Sequence, residues 1–186
     1  FFNRAGLASI NPADGAVNFI HPWQPAIRAS VNACTPVAEG NLIFLSTSYG
    51  KGATVLAVNG KKIETVWSSD TSLSCHYSSV VHHDGHLYGF HGRQEYGPAL
   101  RCVELETGEV KWKRERFGSG SMIGIGERIL LLHEDGRLQL LAASPSRFEL
   151  LATTQLLSSV VRAFPAFSDG VLYARNQREL VAVRLR

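Results

Sequence analysis

Histidine is the side chain whose local density first suggests chemistry in this sequence. Five of the seven histidines lie within a 16-residue segment, namely His76, His82, His83, His86 and His91. His82 and His86 could supply two nitrogen ligands to a metal ion, because imidazole is a common metal ligand. However, they flank a turn at Asp84-Gly85, and no carboxylate or cysteine stands beside them at the spacing of a zinc site. We expect an incidental, partly exposed cluster and no metal site.

Serine, histidine and aspartate also occur together in this segment. Ser78 or Ser79 with His82 and Asp84 could be drawn as a hydrolytic triad, but the sequence lacks the nucleophile-elbow motif that exposes such a serine. Two glycine-rich segments, YGKGA at 49–53 and GSGSMIG at 118–124, lack the phosphate-binding pattern and a following helix. We interpret them as loops between strands. We predict no catalytic residue and leave cofactor-binding residues unassigned.

The three cysteines are Cys34, Cys75 and Cys102, separated by 41 and then 27 residues. The chain contains no CxxC pair, which argues against a zinc ribbon, and the odd number argues against a small disulfide framework. At least one thiol must therefore lack a partner within the chain, while the pairing of the other two stays open. We expect all three to pack as small buried hydrophobic side chains.

Composition limits the class of protein. With 45% hydrophobic and 19% charged residues in 186, the chain can build a buried core. The net charge of +3 comes from scattered lysines and arginines without a block of like charge, so nucleic acid is not an expected partner. The sequence has no apolar stretch long enough to span a bilayer, and FFNRAGLASI does not resemble a signal peptide.

Short apolar segments that follow turn residues recur along the chain. NLIFLSTS, HLYGFHG, RILLLHE and VLYARNQ are rich in strand-forming residues and follow Gly40, Gly85, Gly126 and Gly170. These glycines are separated by 45, 41 and 44 residues. A leucine-centred strand follows each of the four, around Leu56, Leu100, Leu138 and Leu180, and an earlier copy lies around Leu7. A repeat of this length with about four strands is typical of a β-propeller.

A polar turn and an aromatic-ended strand complete three of the copies. The turns are Asp14-Gly15, Asn59-Gly60 and Thr107-Gly108, and the strands reach Phe19, Trp67 and Trp112. We expect both tryptophans to pack against the neighbouring repeat as core residues, whereas Trp23 lies outside this pattern. The fourth copy, SPSRFELL, is degenerate. Its alignment with the other copies predicts a leucine where they have the aromatic residue.

The segments LRCVELETGEVKW at 100–112 and DGHLYGF at 84–90 resemble the quinoprotein-type repeat of the pyrroloquinoline quinone (PQQ)-like β-propeller family. The order of the repeats along nearly the whole chain is similar to that of extracytoplasmic bacterial propeller proteins. The resemblance implies an all-β propeller of four-stranded antiparallel blades, seven or eight in the whole protein, with about four in this chain. It also implies a periplasmic or secreted location.

Two functions are compatible with this resemblance. Quinoprotein dehydrogenases of the superfamily use an adjacent cysteine pair, a tryptophan stacked on PQQ and an acidic calcium site, and this sequence has no adjacent cysteines. Non-catalytic members, such as the outer-membrane assembly lipoprotein, are binding scaffolds. We therefore predict a non-catalytic binding or scaffolding module with a protein or peptide partner and no cofactor. The alternative is a PQQ- and calcium-dependent oxidoreductase domain, which reconstitution with both cofactors would reveal through dye-linked alcohol oxidation.

The ends of the chain do not complete a ring by strand count. We predict blades or parts of blades at 1–28, 29–70, 71–117, 118–158 and 159–186, with only the third and fourth strands in the first part. The last part lacks its fourth strand. We therefore predict that the chain is the C-terminal half of a longer propeller, that Arg186 lies at or near its natural C-terminus, and that open blade edges cause self-association in isolation.

Overall fold

The computed structural model describes residues 1–27, 30–158 and 160–185, and it is built from antiparallel sheets. The first sheet contains three strands, β1 (Phe2–Asn3), β2 (Gly6–Ile10) and β3 (Val17–Pro22). The second contains four strands, β4 (Val37–Glu39), β5 (Leu42–Thr47), β6 (Gly52–Asn59) and β7 (Lys62–Ser69). Both sheets keep their strands in sequence order, as a propeller blade does.

The same arrangement continues to the end of the described chain. The third sheet contains β8 (Val81–His83), β9 (His86–His91), β10 (Ala99–Glu104) and β11 (Val110–Arg114). The fourth contains β12 (Gly120–Ile125), β13 (Arg128–His133), β14 (Arg137–Ala142) and β15 (Leu150–Gln155). The fifth has three strands, β16 (Ala166–Ser168), β17 (Val171–Arg175) and β18 (Leu180–Arg184). A single 3-10 turn, Gln94–Tyr96, interrupts this all-β order within the described residues.

The predicted fold is confirmed, with three differences of detail. The first sheet has a short second strand, β1, that the sequence pattern did not indicate. Residues 120–124 of the glycine-rich segment GSGSMIG lie in β12, so the interpretation of that segment as a loop is wrong. Gly52 and Ala53 of YGKGA likewise begin β6. Blade boundaries and the number of blades in the whole protein stay predictions, and Arg186 lies outside the described residues.

Hydrophobic cores lie between neighbouring sheets. In β13, Ile129 and Leu131 pack in the core shared with the third sheet, whereas Leu130 and Leu132 pack in the core shared with the fifth. Alternate residues of a strand point to opposite faces, so a strand covered on both faces is apolar throughout. This explains the continuous apolar sequence of the second strands. In the described part of the chain, no core cluster joins the first sheet to the fifth.

The tryptophans of the outer strands link each sheet to the next, as predicted. The indole nitrogen of Trp67 in β7 donates a hydrogen bond to the carbonyl of Leu105 in the third sheet (2.8 Å). The indole nitrogen of Trp112 in β11 donates to the carbonyl of Ser144, just after β14 (2.8 Å). Both rings are half-buried. They are therefore structural residues that join consecutive sheets.

In the fourth strand of the second, third and fourth sheets, a bulge lies one residue before the aromatic position. This bulge fixes the register of the strand. Trp67 lies opposite Val55 and Trp112 lies opposite Cys102, each immediately before a register shift. In the fourth sheet the same shift follows the pair of Leu140 and Ala152. The predicted leucine at the aromatic position is therefore wrong: the residue there is Ala152, because Leu151 is taken up by the bulge.

Candidate binding face

The connections between strands lie on two different faces of the molecule. Because successive strands are antiparallel, the turns from first to second strand and from third to fourth strand share one face, which we call the turn face. The connections from second to third strand and from one sheet to the next share the opposite face, which we call the loop face. It comprises residues 4–5, 23–27, 30–36, 48–51, 70–80, 92–98, 115–119, 134–136, 156–158, 160–165 and 176–179. Longer connections concentrate on the loop face, where binding residues are most often found.

The carboxylate of Glu134 gathers side chains from three sheets on the loop face. Glu134 lies in the turn between β13 and β14. It accepts hydrogen bonds from the hydroxyl of Tyr77 and from the side-chain amide of Gln94. The guanidinium of Arg162 lies 3.4 Å from the same carboxylate. Tyr77 and Gln94 flank strands of the third sheet, whereas Arg162 leads into the fifth, so one carboxylate ties three consecutive blades together.

Tyr77 is held in its protonated form by this environment. Burial, followed by the hydrogen bond and the negative charge of Glu134, raises the pKa of Tyr77 to about 12. An ionised phenol beside a carboxylate would place two negative charges together, which is unfavourable. Tyr77 therefore stays a hydrogen-bond donor throughout the physiological pH range and positions Glu134 toward a cavity of about 280 Å³.

Aromatic and charged side chains extend this site toward the second sheet. The hydroxyl of Tyr49 lies 2.9 Å from Nε2 of His76, and the His76 ring is 5.3 Å from that of Tyr77. The guanidinium of Arg93 lies over the Tyr49 ring at 5.2 Å and over the Tyr96 ring at 5.6 Å. Tyr96 is 77% exposed. Exposed tyrosine and arginine are enriched at the centres of protein interfaces.

Polar contacts hold this aromatic group in place. Arg93 pairs with Glu95 at 2.8 Å, and the carboxylate of Glu95 lies 3.9 Å from Nδ1 of His76. A backbone hydrogen bond to its carboxylate, followed by the hydrogen bond from Arg93, lowers the pKa of Glu95. We name the set of Tyr49, His76, Tyr77, Arg93, Gln94, Glu95, Tyr96, Glu134 and Arg162 the Glu134 patch. It offers a rigid aromatic surface with charges of both signs at its rim.

The five clustered histidines do not converge on one point. His86 begins β9 at the turn face and His91 ends it at the loop face, which separates them by about 16 Å at the rise of a strand. Nδ1 of His91 accepts a hydrogen bond from the amide of Ser74 (3.0 Å), and burial lowers the pKa of His91 to about 4. Glu39 of the second sheet comes within 3.6 Å of His82, a carboxylate that local sequence did not reveal. Among the described residues, no group of three metal-ligating side chains is brought together.

The serines near these histidines have other partners. The hydroxyl of Ser78 donates to the carbonyl of Gly120 (3.0 Å), and that of Ser79 donates to Thr35 (2.8 Å). Asp84 lies in the turn that precedes His86, and its carbonyl lies 2.7 Å from Nδ1 of that ring. The two serines therefore connect neighbouring sheets, whereas Asp84 contacts its own turn.

The residues present do not fit the PQQ site of quinoprotein dehydrogenases. Trp67 and Trp112 are engaged between blades. Trp23 is buried, with the ammonium group of Lys51 4.2 Å from its ring centre, so its face is already covered. The three cysteines are buried as predicted, and none is adjacent to another in sequence.

No sequence motif marks the Glu134 patch. Tyr49 and Arg93 each stand two residues after the end of a second strand, and Glu134 stands one residue after the end of another. Their common place in the repeat was a usable signal, because equivalent positions of consecutive blades meet on one face. What sequence could not show is that Arg162, from a different type of connection, reaches the same carboxylate.

Comparison with known proteins supports the fold. No family model matches the chain. Over 171 residues it is 28% identical to tetrathionate hydrolase from Acidithiobacillus ferrooxidans, a match that covers 92% of this chain and 31% of the hydrolase. The chain therefore spans about a third of the length of that curated relative.

Solved structures place the chain among the propellers. BamB from Moraxella catarrhalis matches with a TM-score of 0.66 at 14% identity, over 91% of this chain and 50% of BamB. The computationally designed Ika4 protein matches at 0.61 and 11% identity, over 88% and 96% of the two chains. Apo AztD from Citrobacter koseri matches at 0.58 and 12% identity, over 95% and 53%. The fold and the loop face define a β-propeller module. Its fold is similar to that of the PQQ-like propellers, as its repeats predicted.

Proposed function

We propose that this chain is a non-catalytic binding or scaffolding module of the bacterial cell envelope or exterior, and that it holds a protein or peptide partner on the loop face. The observation that carries the proposal is the convergence of three sheets on the carboxylate of Glu134. A surface positioned by rigid strands can present side chains without a large entropy cost on binding. The resemblance of its repeats to those of extracytoplasmic bacterial propeller proteins supports the envelope location. In the described chain, no helix has the length and hydropathy to span a membrane.

The composition of the Glu134 patch supports a protein partner rather than nucleic acid. Arg93 and Arg162 each face a carboxylate, so the patch lacks the uncompensated positive charge that phosphate backbones require. Tyr49 and Tyr96 sandwich Arg93 and present large apolar surfaces with polar edges. Such side chains lose little conformational entropy when a partner covers them.

Site-specific photo-crosslinking in the parent protein tests this proposal. A photoreactive phenylalanine analogue replaces Tyr96 on the loop face in one variant and Lys61, in the exposed turn between β6 and β7, in the control. We expect position 96 to give a discrete crosslinked partner that position 61 does not give. The same partner at both positions, or none at position 96 in living cells, would contradict a binding function of the loop face.

A second candidate is supported by the similarity to tetrathionate hydrolase, which extends over 92% of this chain. In that case the chain would be one part of an enzyme acting on tetrathionate. Incubation of the purified parent protein with tetrathionate, followed by measurement of the remaining substrate, distinguishes the two candidates. Consumption of tetrathionate that depends on protein concentration would favour the enzyme over the scaffold.

A further inference from the structure

On the loop face, the connection that precedes the second sheet lies beside the connection that precedes the third sheet. Residues 32–36 lead into β4 and residues 72–80 lead into β8. The amide of Thr35 donates a hydrogen bond to the hydroxyl of Ser79 (3.1 Å), which in turn donates to the hydroxyl of Thr35 (2.8 Å). These reciprocal bonds hold two segments that are 44 residues apart in sequence against each other.

Each of these connections carries a cysteine that points into the same core. Cys34 is 2% exposed and Cys75 is fully buried, and both belong to the core cluster that contains Phe44 and Leu87. The backbone amide of Cys75 donates to the hydroxyl of Ser46 (2.8 Å), which fixes its position. The Sγ atoms of Cys34 and Cys75 lie 3.7 Å and 3.9 Å from the backbone carbonyls of Thr35 and Leu73. The neighbouring Cys75 thiol, together with burial, raises the pKa of Cys34 well above its ordinary value.

Cys102 lies in a different core. It packs in the cluster between the third and fourth sheets, beside the buried ring of Tyr88. The sheet itself therefore separates Cys102 from the two thiols of the preceding core. Of the three cysteines, Cys34 and Cys75 are the pair that the fold brings together.

We propose that Cys34 and Cys75 form a disulfide bond that ties the connection before the second sheet to the connection before the third. This inference is independent of the proposed binding function. It predicts a specific pairing that the spacing of the cysteines left open, with Cys102 as the remaining free thiol.

The reaction uses a small-molecule or protein disulfide as the oxidant. The thiolate of Cys34 attacks one sulfur of the oxidant, which forms a mixed disulfide and releases one thiolate. The thiolate of Cys75 then attacks the Cys34 sulfur, which releases the second thiolate. Two protein thiols are oxidised, one disulfide is reduced to two thiols, and the two protons pass to the released thiolates. Cys34 is one of the residues that line an open cavity of about 580 Å³ between the first and second sheets, so we expect an oxidant to approach it from that side.

Burial sets the conditions under which this bond forms. A buried thiol with a raised pKa is a poor nucleophile, so oxidation of the folded chain should be slow. Oxidation during refolding should be fast, because both thiols are then exposed to solvent. A disulfide between Cys34 and Cys75, which are 41 residues apart, should raise the melting temperature by up to about 10 °C, since it restricts the unfolded chain.

Thiol counting after refolding tests the pairing. The chain is refolded with a mixture of oxidised and reduced glutathione, and free thiols are counted with Ellman's reagent in denaturant. We expect the count to fall from three to one in the natural sequence and from two to none in Cys102→Ser. Cys34→Ser and Cys75→Ser should each keep two thiols, after mass spectrometry excludes bound glutathione.

A peptide map of the oxidised natural chain under non-reducing conditions supplies a measurement that needs no variant. It should contain one linked pair of peptides, with residues 34 and 75, and the melting temperature of this sample should fall on reduction. Three free thiols after refolding, or a linked peptide that contains residue 102, would overturn the proposal.

Discussion

Replacement of Trp112 by alanine should remove the aromatic link between the third and fourth sheets. The Trp112 ring lies 6.0 Å from Tyr88 in its own sheet and 5.8 Å from Phe148, in the segment that follows β14. Its indole nitrogen donates to the carbonyl of Ser144 at 2.8 Å. An alanine at this position would leave a gap between the two sheets and a carbonyl without its protein donor.

The magnitude follows from the burial of the ring and from the lost hydrogen bond. A half-buried indole that removes about 100–150 Å² of apolar surface from water contributes about 2.5–4 kcal/mol at about 25 cal/mol per Å². The indole hydrogen bond adds about 1 kcal/mol. We therefore expect Trp112→Ala to lower the free energy of unfolding by about 3–5 kcal/mol, within the range usual for emptying a tryptophan site.

Urea denaturation followed by circular dichroism measures this change. Trp112→Phe keeps a ring but lacks the indole donor, so it should lose less stability than Trp112→Ala. His82→Ala should change stability little, because the His82 ring contacts the exposed carboxylate of Glu39 at 3.6 Å, and a surface ion pair of this kind contributes little. A loss of less than about 1 kcal/mol in Trp112→Ala, or equal losses in all three variants, would refute the structural role of the tryptophan.

Three further predictions follow from the fold and the site. Gly108→Ala places a Cβ atom 2.8 Å from the Trp67 ring at a φ of +75°, so it should cost more stability in urea denaturation than Gly60→Ala, where φ is +63° and no atom lies within 4 Å; equal losses would contradict this contact. Glu134→Gln should lower the pKa of Tyr77 from about 12, as measured by phenolate absorbance. Since the raised pKa favours the folded state with protonated Tyr77, its contribution to stability is complete below about pH 10 and is lost by about pH 12. An unchanged titration of Tyr77 in the variant would refute the contact. Sedimentation velocity of these 186 residues should show self-association through open sheet edges, whereas a compact monomer at micromolar concentration would favour a closed ring.

Much of the fold could be predicted because turn glycines mark the strand boundaries in each repeat. Gly40, Gly85, Gly126 and Gly170 all adopt positive φ in the turns between first and second strands. Such turns strongly favour glycine, so their spacing shows directly where the strands reverse. The apolar second strands β5, β9 and β13 were equally clear, because a neighbouring sheet covers each of them on both faces.

Register was harder to predict than the order of strands. The bulge in β15 moves Leu151 out of the ladder and places Ala152 at the aromatic position. A one-residue shift of this kind changes which side chain faces the next sheet, but it leaves little trace in the local sequence. The expectation of leucine at that position was wrong for this reason.

The candidate site depends on contacts between distant segments. Tyr77 and Glu134 are 57 residues apart, and neither belongs to a motif. The clustered histidines had a stronger local signal, but strand geometry divides them between two faces. Local density in sequence indicates a site only when the residues also lie at the same end of their strands.

Hydrogen–deuterium exchange of the parent protein, with and without the partner captured at position 96, tests whether the loop face is the binding surface. We expect the partner to slow exchange in peptides that contain Tyr49, Tyr77, Tyr96 and Glu134. Peptides that contain the turns at Gly60 and Gly108 should exchange at unchanged rates. Protection confined to those turns, with no change around Glu134, would contradict the assignment of the loop face as the binding surface.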